Sequence, residues 1–217
     1  MSRLQSIIVG ACLALSCNQG AAFAEGRPRL YVHLGPGDVI LSPSAVLSAG
    51  PNVIPGATIT ANNSWTAVVE AGVFLSKNVA VSYTGGIPPV ATNYGAGTIQ
   101  SVGRLGAVRY GPMSLTAHYH LTGLGRLRPY IGGGAVYMQI FSTSDGALTQ
   151  LRVSNHFGYA GQVGADYDID PHWGAFVDFK KAHLHTSASG LEHGVVPITA
   201  KVTLNPAVVQ FGAAYRF

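Results

Sequence analysis

Two His-x-His pairs, one His-Thr-Ser stretch, and a scatter of acids and bases at even spacings are where this 217-residue chain could do chemistry. His118/His120 and His183/His185 are each spaced i, i+2, which sets both imidazoles on one side of an extended strand and within reach of one metal ion. Spacing fixes no third ligand or carboxylate for either pair, so they read as polar residues of an interior or an interface. No metal or other cofactor is expected. His185-Thr186-Ser187 sets a hydroxyl two residues from a base, the elements of an activated nucleophile. Gly132-Gly133-Gly134 is not a phosphate loop, because no helix follows it and the surrounding residues keep a two-residue period.

The elements that would carry these residues are strands. Only 10% of the chain is charged, 47% is hydrophobic, and there are 28 glycines. Such a chain buries itself rather than staying disordered. Yet after the N-terminus no apolar run approaches the roughly 18–20 residues of a membrane helix. Period-2 patterning recurs in eight segments, near 28–36, 65–75, 78–86, 103–121, 128–141, 156–168, 173–185 and 201–217. In the seventh, Trp173, Ala175, Val177 and Phe179 alternate with Gly174, Phe176, Asp178 and Lys180. One face is large and apolar, while the other is small or polar with isolated charges. A soluble sandwich would cover its exposed face with Lys and Glu. The pattern instead suits a narrow membrane barrel, apolar toward lipid and small or ionic toward the bore.

Residues 1–24 have the layout of a cleaved export signal: Arg3, an apolar core over 7–15, and Ala22-Phe23-Ala24 before Glu25. An uncleaved anchor and a lipid-modified Cys17 are the alternatives. Both cysteines, Cys12 and Cys17, lie in this segment, so the mature chain over 25–217 would carry no disulfide, thiol ligand or cysteine nucleophile. Of the 13 Lys and Arg, Arg3 would leave with the signal, and 12 would remain against 9 acidic residues. The basic residues do not cluster beyond Lys180-Lys181, so no nucleic-acid partner is expected.

The expected fold is therefore all-β: an eight-stranded antiparallel transmembrane β-barrel with short periplasmic turns at 76–78, 122–127 and 169–172. Longer external loops are expected at 37–64, 87–102, 142–155 and 186–200. Aromatic residues near segment ends, among them Trp65, Tyr119, Tyr137, Tyr159, Trp173 and Tyr215, suit interfacial girdles. By parity Glu70, Asp166, Asp178, Lys180 and Arg216 point into the bore, where charges need partners. They read as structural ion pairs or as a gate. Pro112 and Pro206 cannot donate to a ladder and mark places where the wall could open sideways, or else strand ends and bulges. Phe211, Tyr215 and Phe217 alternate at the terminus, suiting a signal for the barrel assembly machinery as well as girdle packing.

Four stretches carry a resemblance to a known family: Arg128-Pro-Tyr-Ile-Gly-Gly-Gly-Ala-Val-Tyr137, Phe157-Gly-Tyr-Ala-Gly-Gln-Val-Gly-Ala-Asp-Tyr167 followed by Trp173, Lys77-Asn-Val-Ala-Val-Ser-Tyr83, and Leu204-Asn-Pro leading to Phe211-Gly-Ala-Ala-Tyr-Arg-Phe217. In order and spacing the chain resembles the outer membrane protein W (OmpW) family. Residues 37–64 and 186–200 depart from its pattern. The resemblance implies an outer-membrane barrel with a hydrophobic interior, moving small hydrophobic molecules, and implies no catalytic residue or cofactor. Expected partners are outer-membrane lipids, the assembly machinery and small hydrophobic solutes. A barrel that is only structural or surface-interacting is the alternative. Ala188-Ser189-Gly190 after the His-Thr-Ser stretch does not resemble the lipid-deacylating barrels, so no enzyme is expected.

Overall fold

The computed structural model describes residues 30–217. The export signal expected over 1–24 lies outside the described residues, as do residues 25–29. In chain order the strands are β1 (Leu30–Ile40), β2 (Pro43–Ala49), β3 (Asn52–Val53), β4 (Ala57–Ala61), β5 (Ser64–Phe74), β6 (Val79–Gly86) and β7 (Val90–Gly97). They continue with β8 (Arg104–His120), β9 (Leu127–Asp145), β10 (Leu148–Val153), β11 (His156–Asp168), β12 (Trp173–Glu192), β13 (Val196–Leu204) and β14 (Ala207–Arg216).

Eight of these close a ring in the order β1, β5, β6, β8, β9, β11, β12, β14 and back to β1. Every neighbouring pair is antiparallel. Closure matters physically, since a backbone group facing hydrocarbon has no water to bond and must find its partner in the wall. The seam between first and last strands runs from Tyr31 opposite Arg216 to Ile40 opposite Ala207.

Alternation sets which residues face where. Along β12, Trp173, Ala175, Val177 and Phe179 are exposed on the outer surface, while Gly174, Phe176, Asp178 and Lys180 are buried in the bore. Along β14, Phe211 and Ala213 face out and Gln210, Ala214 and Arg216 face in. The inner turns are short, with 75–78, 121–126 and 169–172 joining successive strands.

The four segments read as long external connections are largely paired strand. β2 pairs β13, β4 pairs β7, β7 pairs β8 and β10 pairs β12, so the wall continues outward past the eight crossing segments. Breaks at 41–42, 62–63, 87–89, 154–155 and 205–206 separate this rim from the wall below.

Candidate functional site

The bore has two storeys of opposite character. In the lower one, all five charges expected there are buried, and they fall into two clusters. Lys180 Nζ donates to Glu70 Oε2 at 2.6 Å and to Asp178 Oδ1 at 2.9 Å. Glu70 is 1% exposed and Lys180 6%. Glu70 also accepts from Thr84 Oγ1 at 2.9 Å and Tyr31 O–H at 3.2 Å; Asp178 Oδ2 accepts from Tyr130 O–H and Gln162 Nε2, both at 2.7 Å. Seven strands of the ring thus converge on a single network: β1 through Tyr31, β5 through Glu70, β6 through Thr84, β8 through Thr116, β9 through Tyr130, β11 through Gln162 and β12 through Asp178 and Lys180.

The second cluster lies nearer the periplasmic end. Arg216 pairs with Asp166 at 3.1 Å and with Asp168, which also pairs with Arg128 at 2.7 Å. His33 bridges the clusters. Its Nε2 lies 3.2 Å from Asp166 Oδ1 and its Nδ1 3.7 Å from Glu70 Oε1, while its ring stacks on Phe176 with centroids 4.2 Å apart. Neither His33 contact is aligned as a hydrogen bond, so both are electrostatic contacts. His118 joins the first network through Ser82 and Thr116 at 3.0 and 2.8 Å, and His120 is packed between Phe74 and Tyr130. Buried side chains from seven strands occupy this lower storey, as suits an eight-stranded barrel whose bore is just wide enough for side chains to fill.

Above it the bore opens into an apolar chamber enclosing about 920 Å³ of atom-free space, part of it open to solvent. Leu47, Leu151, Ile198, Val202, Tyr110 and Met138 are among its walls. Val39, Val136, Ala160, Ala182 and Leu184 form an apolar cluster continuous with it. The rim strands β2, β4, β7, β10 and β13 contribute most of this lining. A hydrophobic interior is implied only by the family resemblance; the period-2 pattern reads 37–64, 87–102, 142–155 and 186–200 as loops and so does not show the rim strands that line the chamber. The sequence reading does not single out His33, Tyr31 or Tyr130 as bore residues, although their parity on β1 and β9 points them inward.

The two prolines occupy different breaks. Pro112 stands inside β8 opposite Met138 of β9. On its other side the ladder stops at Ser114 opposite Thr84 and resumes at Arg109 opposite Val90. Between these points Gly85 to Pro89 turn toward β5, with Gly86 opposite Val68. Among the described residues the gap is bridged by one backbone bond, Tyr110 N–H to Pro89 C=O at 3.1 Å. The missing donor of Pro112 belongs on the same side as Tyr110, two residues away. Pro206 sits between β13 and β14, facing Leu41-Ser42. That break is tighter: Pro206 C=O accepts from Ala182 N–H at 2.9 Å, and Asn205 C=O accepts from Lys181 Nζ at 2.8 Å.

His185 and Ser187 both face outward, but His185 hydrogen-bonds His183 and Thr203 while Ser187 reaches Ser154. At the other end of the wall Tyr215 meets Trp173 and Phe217 edge-on at 4.8 and 5.0 Å, forming an inner aromatic girdle; Phe211 meets Trp65 higher up.

A closed eight-stranded wall with an apolar exterior row, a bore packed shut below and an apolar chamber above defines a small outer-membrane β-barrel. The chain belongs to the OmpW family, whose family model matches residues 29–217. It is 33% identical over 171 residues to outer membrane protein AlkL of Ectopseudomonas oleovorans, covering 79% of this chain and 74% of that one. It is 32% identical over 203 residues to dibenzothiophene metabolism operon protein PahQ of Pseudomonas aeruginosa, covering 94% and 95%. In fold it matches the crystal structure of outer membrane protein OprG from Pseudomonas aeruginosa, with TM-score 0.81 and 19% identity over 88% of this chain and 96% of that one.

Proposed function

We propose that this barrel is a conduit for small apolar solutes, which enter the upper chamber from outside and leave sideways through the wall. The observation that carries this reading is the apolar chamber seated on a charged, hydrogen-bonded floor. A solute that prefers the chamber to water has no reason to cross buried ion pairs, whose disruption is costly. The seam beside Pro112, bridged by the Tyr110–Pro89 bond, lies at the chamber's level, since Tyr110 and Pro112's partner Met138 both line the chamber. The break at Pro206 is the lesser candidate because side-chain and backbone bonds close it. A relative named for dibenzothiophene metabolism supports an apolar, ring-sized solute class. In this reading the five bore charges are the structural plug that forces the lateral route. Phe211, Tyr215 and Phe217 are the outward terminal row that the assembly machinery reads.

The test is flux into liposomes for hydrophobic and hydrophilic solutes of similar size. Hydrophobic flux alone is expected, reduced at least several-fold by Pro112→Val, which restores a ladder donor, and by Ala200→Trp, which fills the chamber. Flux of both solutes favours a water-filled pore, and flux of neither favours a purely structural barrel. Hydrophobic flux unchanged in Pro112→Val would remove the seam from the route.

A further inference from the structure

On the outer surface of β12, His183 and His185 turn their Nε2 atoms toward each other at 3.2 Å. Their Nδ1 atoms are held from behind. His183 Nδ1 lies 2.6 Å from Asn205 Oδ1, and His185 Nδ1 lies 3.2 Å from Thr203 Oγ1 directly across the ladder. Asn205 Oδ1 can only accept, so His183 carries its proton on Nδ1 and presents Nε2 as a lone pair. Thr203 accepts or donates, so His185 can do the same.

We infer that His183 and His185 form a two-histidine site for a divalent transition-metal ion at the outer rim of the barrel. Zinc–imidazole bonds of about 2.0–2.1 Å at a tetrahedral angle place two ligand nitrogens about 3.3 Å apart, matching the gap between the two Nε2 atoms. Asn205 and Thr203 are the second shell that such sites use to fix ring orientation and tautomer. Without metal the gap is filled by one proton, shared in a chain from Thr203 O–H through His185 and His183 to Asn205. When a metal enters, the His185 proton moves from Nε2 to Nδ1 through solvent and the Thr203 hydroxyl turns to accept it.

Placement in the wall leaves the site wet. Ten residues of β12 separate Trp173 from His183, and a strand rise of ~3.4 Å tilted by ~40° makes that roughly 25 Å of height. This equals the apolar band of an outer-membrane barrel, so the pair stands at the outer interface. His185 is exposed, which leaves water to complete the coordination. The nearest cation along the strand, Lys181, is held on the Asn205 carbonyl, and Lys201 is exposed on β13.

The test uses the mature chain without an affinity tag, folded in detergent, with zinc competed against a chromophoric chelator and copper(II) read by electron paramagnetic resonance. One equivalent with a micromolar dissociation constant and a nitrogen-ligated copper spectrum is expected. His183→Ala and His185→Ala should each weaken binding at least tenfold. Asn205→Ala should weaken it by ~10-fold or more, as loss of an orienting partner does. Heat-modifiable gel migration verifies that each variant is folded. Binding that persists in the double histidine variant, or binding weaker than millimolar in the native chain, overturns the assignment.

Discussion

Lys180→Met tests whether the plug is a dry ionic network. The methionine keeps the length and apolar stem of the lysine but removes the charge held between Glu70 at 2.6 Å and Asp178 at 2.9 Å. Two charge-assisted hydrogen bonds are lost, at about 1.5–3 kcal/mol each. Independently, breaking a buried pair by removing one partner costs about 3–5 kcal/mol, because the remaining charge is stranded. The first route gives about 3–6 kcal/mol and the second about 3–5 kcal/mol, and a slope near 2 kcal/mol per molar urea turns a loss of about 4 kcal/mol into a midpoint lower by ~2 M. Among the described residues both acids would lose the one cation within 3 Å of them, while Asp178 would keep its bonds from Tyr130 and Gln162 and Glu70 those from Thr84 and Tyr31. Adding Glu70→Gln to Lys180→Met should therefore recover at least half of the loss. The assay is urea unfolding in lipid vesicles, followed by tryptophan fluorescence and gel migration. A single variant within ~1 kcal/mol of the parent would mean a hydrated, screened bore. A double variant no more stable than the single one would refute the pairing argument.

Other perturbations probe the wall and the inner turn. A Cβ at Gly134 would clash with the Leu115 backbone carbonyl, whereas one at Gly161 meets nothing within 4 Å. Gly134→Ala should thus destabilise the barrel by about 1–3 kcal/mol, the cost of overpacking, and lower folding yield, while Gly161→Ala should match the parent in both. Asp170, in the inner turn, accepts the backbone N–H groups of His172 and Trp173 at 2.8 and 2.7 Å, and these bonds hold its carboxyl below the ordinary range. A depressed folded-state value means that the carboxylate stabilises the fold above its unfolded-state pKa and loses that contribution as pH falls through the folded one. The difference in urea midpoint between Asp170→Ala and the parent should hold from neutral pH down to the ordinary carboxylate range, then shrink in stronger acid. A difference that grows on acidification would contradict the turn's geometry.

The membrane-crossing part of the fold was legible because lipid imposes a strict rule on one face. Trp173, Ala175, Val177 and Phe179 can alternate with Asp178 and Lys180 only if the two rows see different solvents. Parity alone then sends Glu70, Asp166, Asp178, Lys180 and Arg216 inward, and each is buried. It could not say which acid meets which base, since partners such as Glu70 and Lys180 are 110 residues apart and are joined only by ring closure. His33 was hidden for a related reason. One inward histidine on a strand has no pattern of its own, and its place between Glu70 and Asp166 follows from the stagger of three strands.

The missed rim has a physical cause that also bears on function. On β12 the two faces exchange character between Lys180 and Lys181. Below this point the inward row is polar and the outward row apolar. Above it the inward row reads Ala182 and Leu184, both buried and apolar, and the outward row reads Lys181, His183 and His185. β13 keeps the inverted pattern, with Ile198 and Val202 buried inside and Thr199 and Lys201 exposed outside. A template of lipid-facing alternation stops matching where the outer row meets water, so 186–192 of β12 and 196–200 of β13 read as loop. The same inversion requires an apolar interior above the plug, and the chamber is that interior. Its base lies at the level of the outer aromatic residues: Met138, opposite Pro112, follows Tyr137, whose ring lies 4.6 Å from Phe157 on the surface. A solute leaving by the Pro112 seam, on the other side of β8 from that pair, would therefore enter the membrane at the same height, at the outer interface, without meeting the ionic floor.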